Sequence, residues 1–404
     1  MNDLFHQLLT TPFTFFKDYG GPFILVLSLL VFVHEFGHYI VARWCGVKVE
    51  TFSIGFGKEL FGRTDRHGTR WKFSLIPLGG YVQMFGDLDP ASARNADAVT
   101  GEGADVRPMT TDERKVAFFT QPVAKRAAIV VAGPAINFIF AIALLTGLYM
   151  VEGKPYMPPV AATVIEGSAA DKAGIRPDDK ILSLNGVQME RFQDLSKYVA
   201  VHLDQPIEVK LVHYKGNGVW DEQNVKTLSI TPELVVEEDR FGFRHSTGRL
   251  GLKSPPADTA IQPHSAGSAF TQAVKDTWNI SADTLTAIGQ MIMGYRSTDE
   301  LGGILRIGAY AGDYAQRGLI AMITFAALLS VNLGLINLLP IPMLDGGHLM
   351  FYALETVKGK PLGERVQEYA LRVGMVFLLG VMVFATWNDL LQLKVVDYVV
   401  NLVS

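Results

Sequence analysis

The chain has 404 residues, of which 49% are hydrophobic, with a mean hydropathy of +0.22 and a formal net charge of −4. That length holds two or three domains, and a near-neutral charge without a dominant basic patch gives no reason to expect nucleic acid as a partner. A single cysteine, Cys45, excludes an internal disulfide and any cysteine-rich metal module.

Residues 1–45 hold an N-terminal tail and the first predicted membrane span, 22–43. Lys17 before an apolar core imitates a secretory signal, but no small-residue cleavage site follows, so a spanning helix is expected. Inside it lies the run VFVHEFGHYI. On an α-helix positions i and i+4 share a face, so His34 and His38 point the same way one turn apart. Two imidazoles so placed can hold one zinc ion, and Glu35 beside them can take a proton from a water that the ion activates. The alternative is a pair of histidines hydrogen-bonded within a helix bundle, with Glu35 paired to an arginine. Ionisable side chains are costly within a membrane and usually functional there, which weakens that alternative. About twelve residues at ~1.5 Å each separate Pro22 from His34, which puts the site beyond the midplane of a core about 30 Å thick, inside the bilayer and nearer the cytoplasm.

Residues 46–126 form the first loop. Its segment WKFSLIPLGGYVQMFG alternates apolar and polar positions on either side of Leu78-Gly79-Gly80, a hairpin signal. An edge at Gly79, Gly80 and Tyr81 can pair with an extended substrate; the alternative is an ordinary hairpin packed on the cytoplasmic face. The polar, small-residue stretch 87–108 reads as a mobile loop. The second predicted span, 127–150, carries Gly133-Pro134 and Asn137 near its start.

Residues 151–240 have a different pattern: short strands, a helix at Ala169–Ala173, turns at Gly174 and Asn185-Gly186, and strands at 207–214 and 225–234. This resembles a PDZ domain of the bacterial protease type, which implies binding of peptide C-termini by strand addition. Asp178 stands where that family usually has glycine; a β-rich spacer without ligand is the alternative. Residues 241–318 read as a linker, with a strand at 241–252 and an amphipathic helix from Ala266 to Tyr295.

Residues 319–350 hold the third predicted span, 319–339, with Asn332 and Asn337 near its end, followed by NLLPIPMLDGGH. Pro340 and Pro342 end the helix, and Gly346-Gly347 permit a sharp turn. A catalytic zinc site normally has three protein ligands, and Asp345 comes at a depth similar to that of the histidines, so it is the natural third ligand. Taken alone, Asp345 also reads as the N-cap of the following helix. His348 reads as a polar neighbour. Residues 351–404 hold the fourth predicted span, 368–388, and a C-terminal tail.

Thirteen Lys/Arg lie in 43–126, three more in 340–367, and few in either tail. The positive-inside rule therefore places these two loops in the cytoplasm and 151–318 outside. The expected architecture is a polytopic α-helical membrane protein with four transmembrane helices, a cytoplasmic β-hairpin element and one extracytoplasmic PDZ domain.

HEFGH in the first span, GPAINF in the second, NLLPIPMLDGGH after the third and the IPLGGYVQMFGD element together resemble the site-2 protease family of intramembrane zinc metalloproteases. More narrowly they resemble its bacterial regulator-of-sigma-E protease branch. The resemblance covers essentially the whole chain in order. It implies Zn2+ held by His34, His38 and Asp345, Glu35 as catalytic base, and Asn337 and Asn332 contacting the substrate backbone. It also implies a bacterial inner-membrane protein acting in regulated intramembrane proteolysis. Its substrates would be single-span membrane proteins already cut once outside, such as anti-sigma factors or signal-peptide remnants. Two other classes compete: a membrane-anchored PDZ adaptor with a structural or inactive metal site, and a zinc-handling membrane protein. Glu35 speaks against the adaptor, because a structural site has no use for a base. The lack of an inverted repeat speaks against a transporter.

Overall fold

A computed structural model describes residues 12–86, 99–100, 107–203, 205–254 and 260–393. Four of its helices are long and apolar enough to cross a membrane. The first, α1 (Gly21–Trp44), continues a π-helical turn at Phe16–Gly20, so this candidate span begins six residues before the expected Pro22. The second, α2 (Val123–Glu152), runs from Pro122 to Gly153, whose positive φ of 68° ends it. An amphipathic helix, α3 (Ala266–Met293), and an unexpected shorter one, α4 (Ile304–Gln316), precede α5 (Leu319–Asn337). After a short loop come α6 (Asp345–Lys358) and α7 (Glu364–Gln392), the last containing the fourth candidate span.

Helices α1, α2 and α5 form the bundle that carries the site. Val26 and Leu30 of α1 and Ala326 of α5 are buried together, with Phe140 and Leu144 of α2 against them. On the other side Ala141 and Leu145 of α2 meet Ala269 and Ala273 of α3 and Ala327 and Val331 of α5. Alanines at these contacts let the helix backbones approach closely, which is how helices associate where lipid supplies no hydrophobic drive. The outer faces stay apolar and exposed, as at Leu25, Leu29, Ile139, Val373 and Val376, and suit contact with lipid. Helix α7 meets the loop before α6, where a Cβ on Gly374 would overlap the carbonyl of Pro342. At its far end buried Asp389 takes Arg306 of α4 at 3.3 Å and accepts from the backbone N–H of Gly303 at 2.9 Å.

The β-element differs from the expected hairpin. Its two long strands are β1 (Val49–Thr64) and β2 (Arg70–Met84), and the turn between them falls at 65–69 rather than at Leu78-Gly79-Gly80. Both strands bend, so Thr51–Ile54 pairs on one side with 83–80 and on the other with 70–73, while 59–64 pairs with 74–70. The two halves of WKFSLIPLGGYVQMFG therefore flank β1 instead of pairing with each other. The alternation in that segment was compatible with either arrangement; the stretch GFGKELFG of β1, which alternates poorly, gave no strand signal. Phe52 packs flat against Trp71 at 4.4 Å and edge-on to Phe32 and Tyr39 of α1, and so docks the element on the first helix. Most of the stretch 87–108, read as a loop, lies outside the described residues.

Between α2 and α3 lies a small β-rich unit. Its sheet runs β7 (Lys226–Ile230), β6 (Ile207–Val212), β4 (Asp179–Leu184), β3 (Val160–Ala161), and β5 (Val187–Gln188) pairs with β4. In β6 alternate residues Ile207, Val209 and Leu211 are buried against Ile181, Leu184, Leu195 and Val199. Asn185-Gly186 has positive φ at both positions, 47° and 81°, as a tight hairpin turn requires. Asp178 is also left-handed, at φ 65°, which explains why glycine would suit that position. A further hairpin, β8 (Glu233–Glu238) with β9 (Arg244–Arg249), follows, so the strand expected at 241–252 is present but pairs with β8.

Candidate active site

Helix α1 carries His34 and His38 on one buried face, and Asp345, the first residue of α6, meets them across the bundle. His34 Nε2 lies 3.2 Å and His38 Nε2 3.6 Å from Asp345 Oδ2, and the two Nε2 atoms are 3.3 Å apart. One ligand atom from each of the three fits within 4.8 Å. The capping role considered for Asp345 is not what the structure holds: Leu344 is the N-cap of α6 and no side chain caps it. Asp345 Oδ2 is instead buried facing both imidazoles, with no well-formed hydrogen bond to either. A buried carboxylate oxygen crowded against two imidazole nitrogens without a well-formed hydrogen bond is expensive unless a cation completes the group. Two nitrogens and one oxygen with a side open to a cavity are the donor set of a catalytic zinc site.

The backbone that delivers Asp345 is tightly constrained. Met343 has a φ of 88°, an uncommon conformation for a side-chain-bearing residue. Gly346 and Gly347 are helical and do not form the sharp turn expected of them. They are needed because a Cβ on Gly346 would overlap the carbonyls of Leu338 and Leu339, and one on Gly347 the carbonyl of Ile341. The proline-rich loop thus lies directly on the start of α6 and fixes where Asp345 points. Further along, Arg126 of α2 bonds Glu355 of α6 at 2.7 Å and lies 4.8 Å over the Tyr352 ring, tying the two helices together.

Helix α2 holds the histidines from behind. His38 Nδ1 is 2.9 Å from the carbonyl oxygen of Ile129, and His34 Nδ1 is 3.0 Å from the side-chain amide of Asn137. Ile129, Gly133 and Asn137 recur every four residues and so form one stripe facing the two imidazoles. Gly133 is where His38 fits, because a Cβ there would overlap the ring.

A cavity of about 910 Å³ opens from this point. His34, Glu35, His38, Asp345, Asn337, Gly80 and Tyr81 all line it, so seven of the residues singled out from sequence converge, and His348 borders it as well. Glu35 accepts a hydrogen bond from the backbone N–H of Val82, and its Cγ lies 3.4 Å from where a Cβ on Gly80 would be. Strand β2 therefore forms the wall opposite the glutamate. Two of the residues expected at the substrate do not line the cavity. Asn332 does not line the cavity; its Oδ1 accepts from Thr284 Oγ1 of α3 at 2.9 Å. Gly79 is not a lining residue either; it has a φ of 124° and no room for a Cβ beside the Phe56 ring. The sequence reading gave no role to Ile129, Gly133, Asn137, Arg126 or Glu355. Only the motif GPAINF hinted at two of them, and a main-chain carbonyl carries no sequence signal.

An HExxH helix and a facing aspartate, gathered inside a bundle of membrane-length helices around one cavity, define a class: metal-dependent peptidases built into the membrane. The comparisons agree. The family model described as "Peptidase family M50" matches residues 22–381, and the chain belongs to that family, that of the site-2 proteases. A relative from Agrobacterium fabrum that carries a zinc metalloprotease name is 42% identical over 381 residues, 94% of this chain and 97% of its own. One from Rhizobium meliloti with a similar name is 40% identical, covering 91% of this chain and 95% of its own. Metalloprotease MmpA of Caulobacter vibrioides is 36% identical over 93% of this chain and 96% of its own. The protein is thus a zinc metalloprotease and an integral membrane protein, and the expectation of a membrane-embedded zinc peptidase is borne out.

Proposed function

We propose that the protein is an intramembrane endopeptidase that cuts single-span membrane proteins, with His34, His38 and Asp345 as zinc ligands and Glu35 as general base. The observation that carries this reading is the convergence of those three ligand groups within 4.8 Å on a cavity that Glu35 also lines. Bound there, zinc supplies a Lewis acid that polarises a carbonyl and makes water a usable nucleophile near neutral pH. Glu35, one residue from a ligand, accepts the proton from the attacking water and returns it to the leaving amine. Gly80 and Tyr81 on β2 offer a strand against which an unwound substrate segment aligns, and Asn337, at the end of α5, offers its amide to the substrate backbone. A base on the cavity wall favours this reading over an adaptor with a structural metal.

The β-rich unit at 151–240 acts as an extracytoplasmic PDZ domain that admits trimmed substrates or binds their new C-termini. Its small antiparallel sheet, its two helices (Ala169–Lys172 and Phe192–Val201) and its own core support this. The basic loops 43–126 and 340–367 face the cytoplasm of a bacterial inner-membrane protein, by the positive-inside rule. The substrates are remnants of a first extracytoplasmic cut, such as anti-sigma factors or signal peptides, in regulated intramembrane proteolysis. The test is Glu35→Gln in purified protein: zinc content stays at the parent level while cleavage of a single-span reporter falls ~10²–10⁴-fold. Residual activity within about tenfold of the parent would remove Glu35 as the base.

A further inference from the structure

We infer that Asn137 is a positioning residue for His34: with metal bound, its side-chain oxygen accepts the His34 Nδ1–H and so turns Nε2 toward the ion. Asn137 is fully buried in α2, and its Cβ is pinned by α5, where a Cβ on Gly334 would lie 3.3 Å away. Ser330 of α5 donates to the Asn137 main-chain carbonyl at 2.8 Å, which fixes this turn of α2 beside the histidine. The amide reaches His34 Nδ1 at 3.0 Å through Nδ2, and Oδ1, equally buried, has no hydrogen-bond partner.

The tautomer of His34 carries the argument. In a neutral imidazole one nitrogen donates and the other accepts. If Nδ2 donated to Nδ1, the proton would sit on Nε2, the atom that faces Asp345 and His38, and Nε2 would have no lone pair for a metal. A half-turn of the amide exchanges its oxygen and nitrogen in the same space. Oδ1 then accepts from Nδ1–H and the Nε2 lone pair is free, while the partnerless position of the amide passes from Oδ1 to Nδ2. His38 is held in the same sense by the Ile129 carbonyl, which can only accept. Both imidazoles therefore take the same tautomer, one fixed by a main-chain oxygen and the other by a side chain about two helical turns further along α2. Second partners of this kind orient the ligand and raise its basicity, and their loss typically costs ~10–100-fold in metal affinity.

The inference rests on His34 being a ligand, and the experiment separates the two claims. Zinc affinity is measured by chelator competition in full-length protein carrying Glu35→Gln, so that no turnover enters. To this background are added Asn137→Leu, which keeps the volume and removes the acceptor, Asn137→Asp, which keeps an acceptor, and His34→Ala. The thermal midpoint of the zinc-free protein is recorded for each as a check on folding. The expected result is a ~10–100-fold weaker zinc Kd for Asn137→Leu and a Kd at or tighter than that of the background for Asn137→Asp. Parent-like affinity in Asn137→Leu with weak binding in His34→Ala would overturn the positioning role alone. Equal weakening in Asn137→Leu and Asn137→Asp would also overturn it, because packing rather than an acceptor would then be what His34 needs. Parent-like affinity in His34→Ala would overturn the ligand assignment and this inference with it.

Discussion

Gly133→Ala tests how finely α2 sets the zinc site. A methyl at that position would overlap both Nε2 and Cε1 of His38 and lie 2.9 Å from Cδ2. To reach ordinary contact the ring has to withdraw by roughly 1 Å. It cannot do so freely, because Nδ1 is held 2.9 Å from the Ile129 carbonyl, one turn earlier on the same helix. A misplacement of ~1 Å at a reacting centre costs on the order of 10²-fold in rate, equivalent to about 2.7 kcal/mol of activation free energy. The backbone itself gains from the change, since alanine is better than glycine inside a helix by ~0.5–1 kcal/mol, so the fold should survive. The assay is kcat/KM on a single-span reporter in detergent with zinc content measured on the same samples. Gly147→Ala is the control: it lies on the same helix with no atom within 4 Å of the new methyl and should leave both readouts unchanged. Parent-level zinc and activity within about threefold for Gly133→Ala would refute the claim that this close approach places His38.

Three further outcomes are expected. Asp345→Asn lowers zinc occupancy at limiting metal, because a neutral amide is a poor ligand; unchanged occupancy by metal analysis would return Asp345 to a structural role. Arg126→Gln and Glu355→Gln each break a mostly buried ion pair, costing about 1.5–3 kcal/mol. A double-mutant cycle read by thermal unfolding should show coupling of at least ~1 kcal/mol, and coupling near zero would mean that the pair does not tie α6 to α2. Replacing residues 160–253 by a short linker, a cut that keeps neither half of the β8–β9 hairpin, should leave zinc binding intact. It should also leave cleavage of a pre-trimmed substrate intact while untrimmed substrates are cut more readily. Loss of activity on both substrates with zinc retained would show that the unit positions substrate rather than filters it.

The sequence by itself marked four candidate spans, because twenty or so apolar residues in a row have few other uses, and it put two candidate ligands on one helix. His34 and His38 are four apart, and helical periodicity alone puts them on one face. Asp345 was legible only as a carboxylate at a matching depth; the packing of the 338–342 loop on Gly346 and Gly347 is what aims it at the two histidines. Side-chain direction at the end of a helix was not legible at all. Asn337 and Asn332 look equivalent in the sequence, yet Asn337 lines the cavity while Asn332 is taken by Thr284 of α3, a helix 48 residues earlier in the chain. The β-element shows the same limit: alternation marks a strand but not its partner, so Leu78-Gly79-Gly80 reads as a turn although β1 lies between the two halves. What only tertiary structure decided was the support behind the histidines. A main-chain carbonyl at Ile129, a missing methyl at Gly133 and an amide at Asn137 act through their distance to α1, and distance between two helices is set by packing that no single helix's sequence encodes.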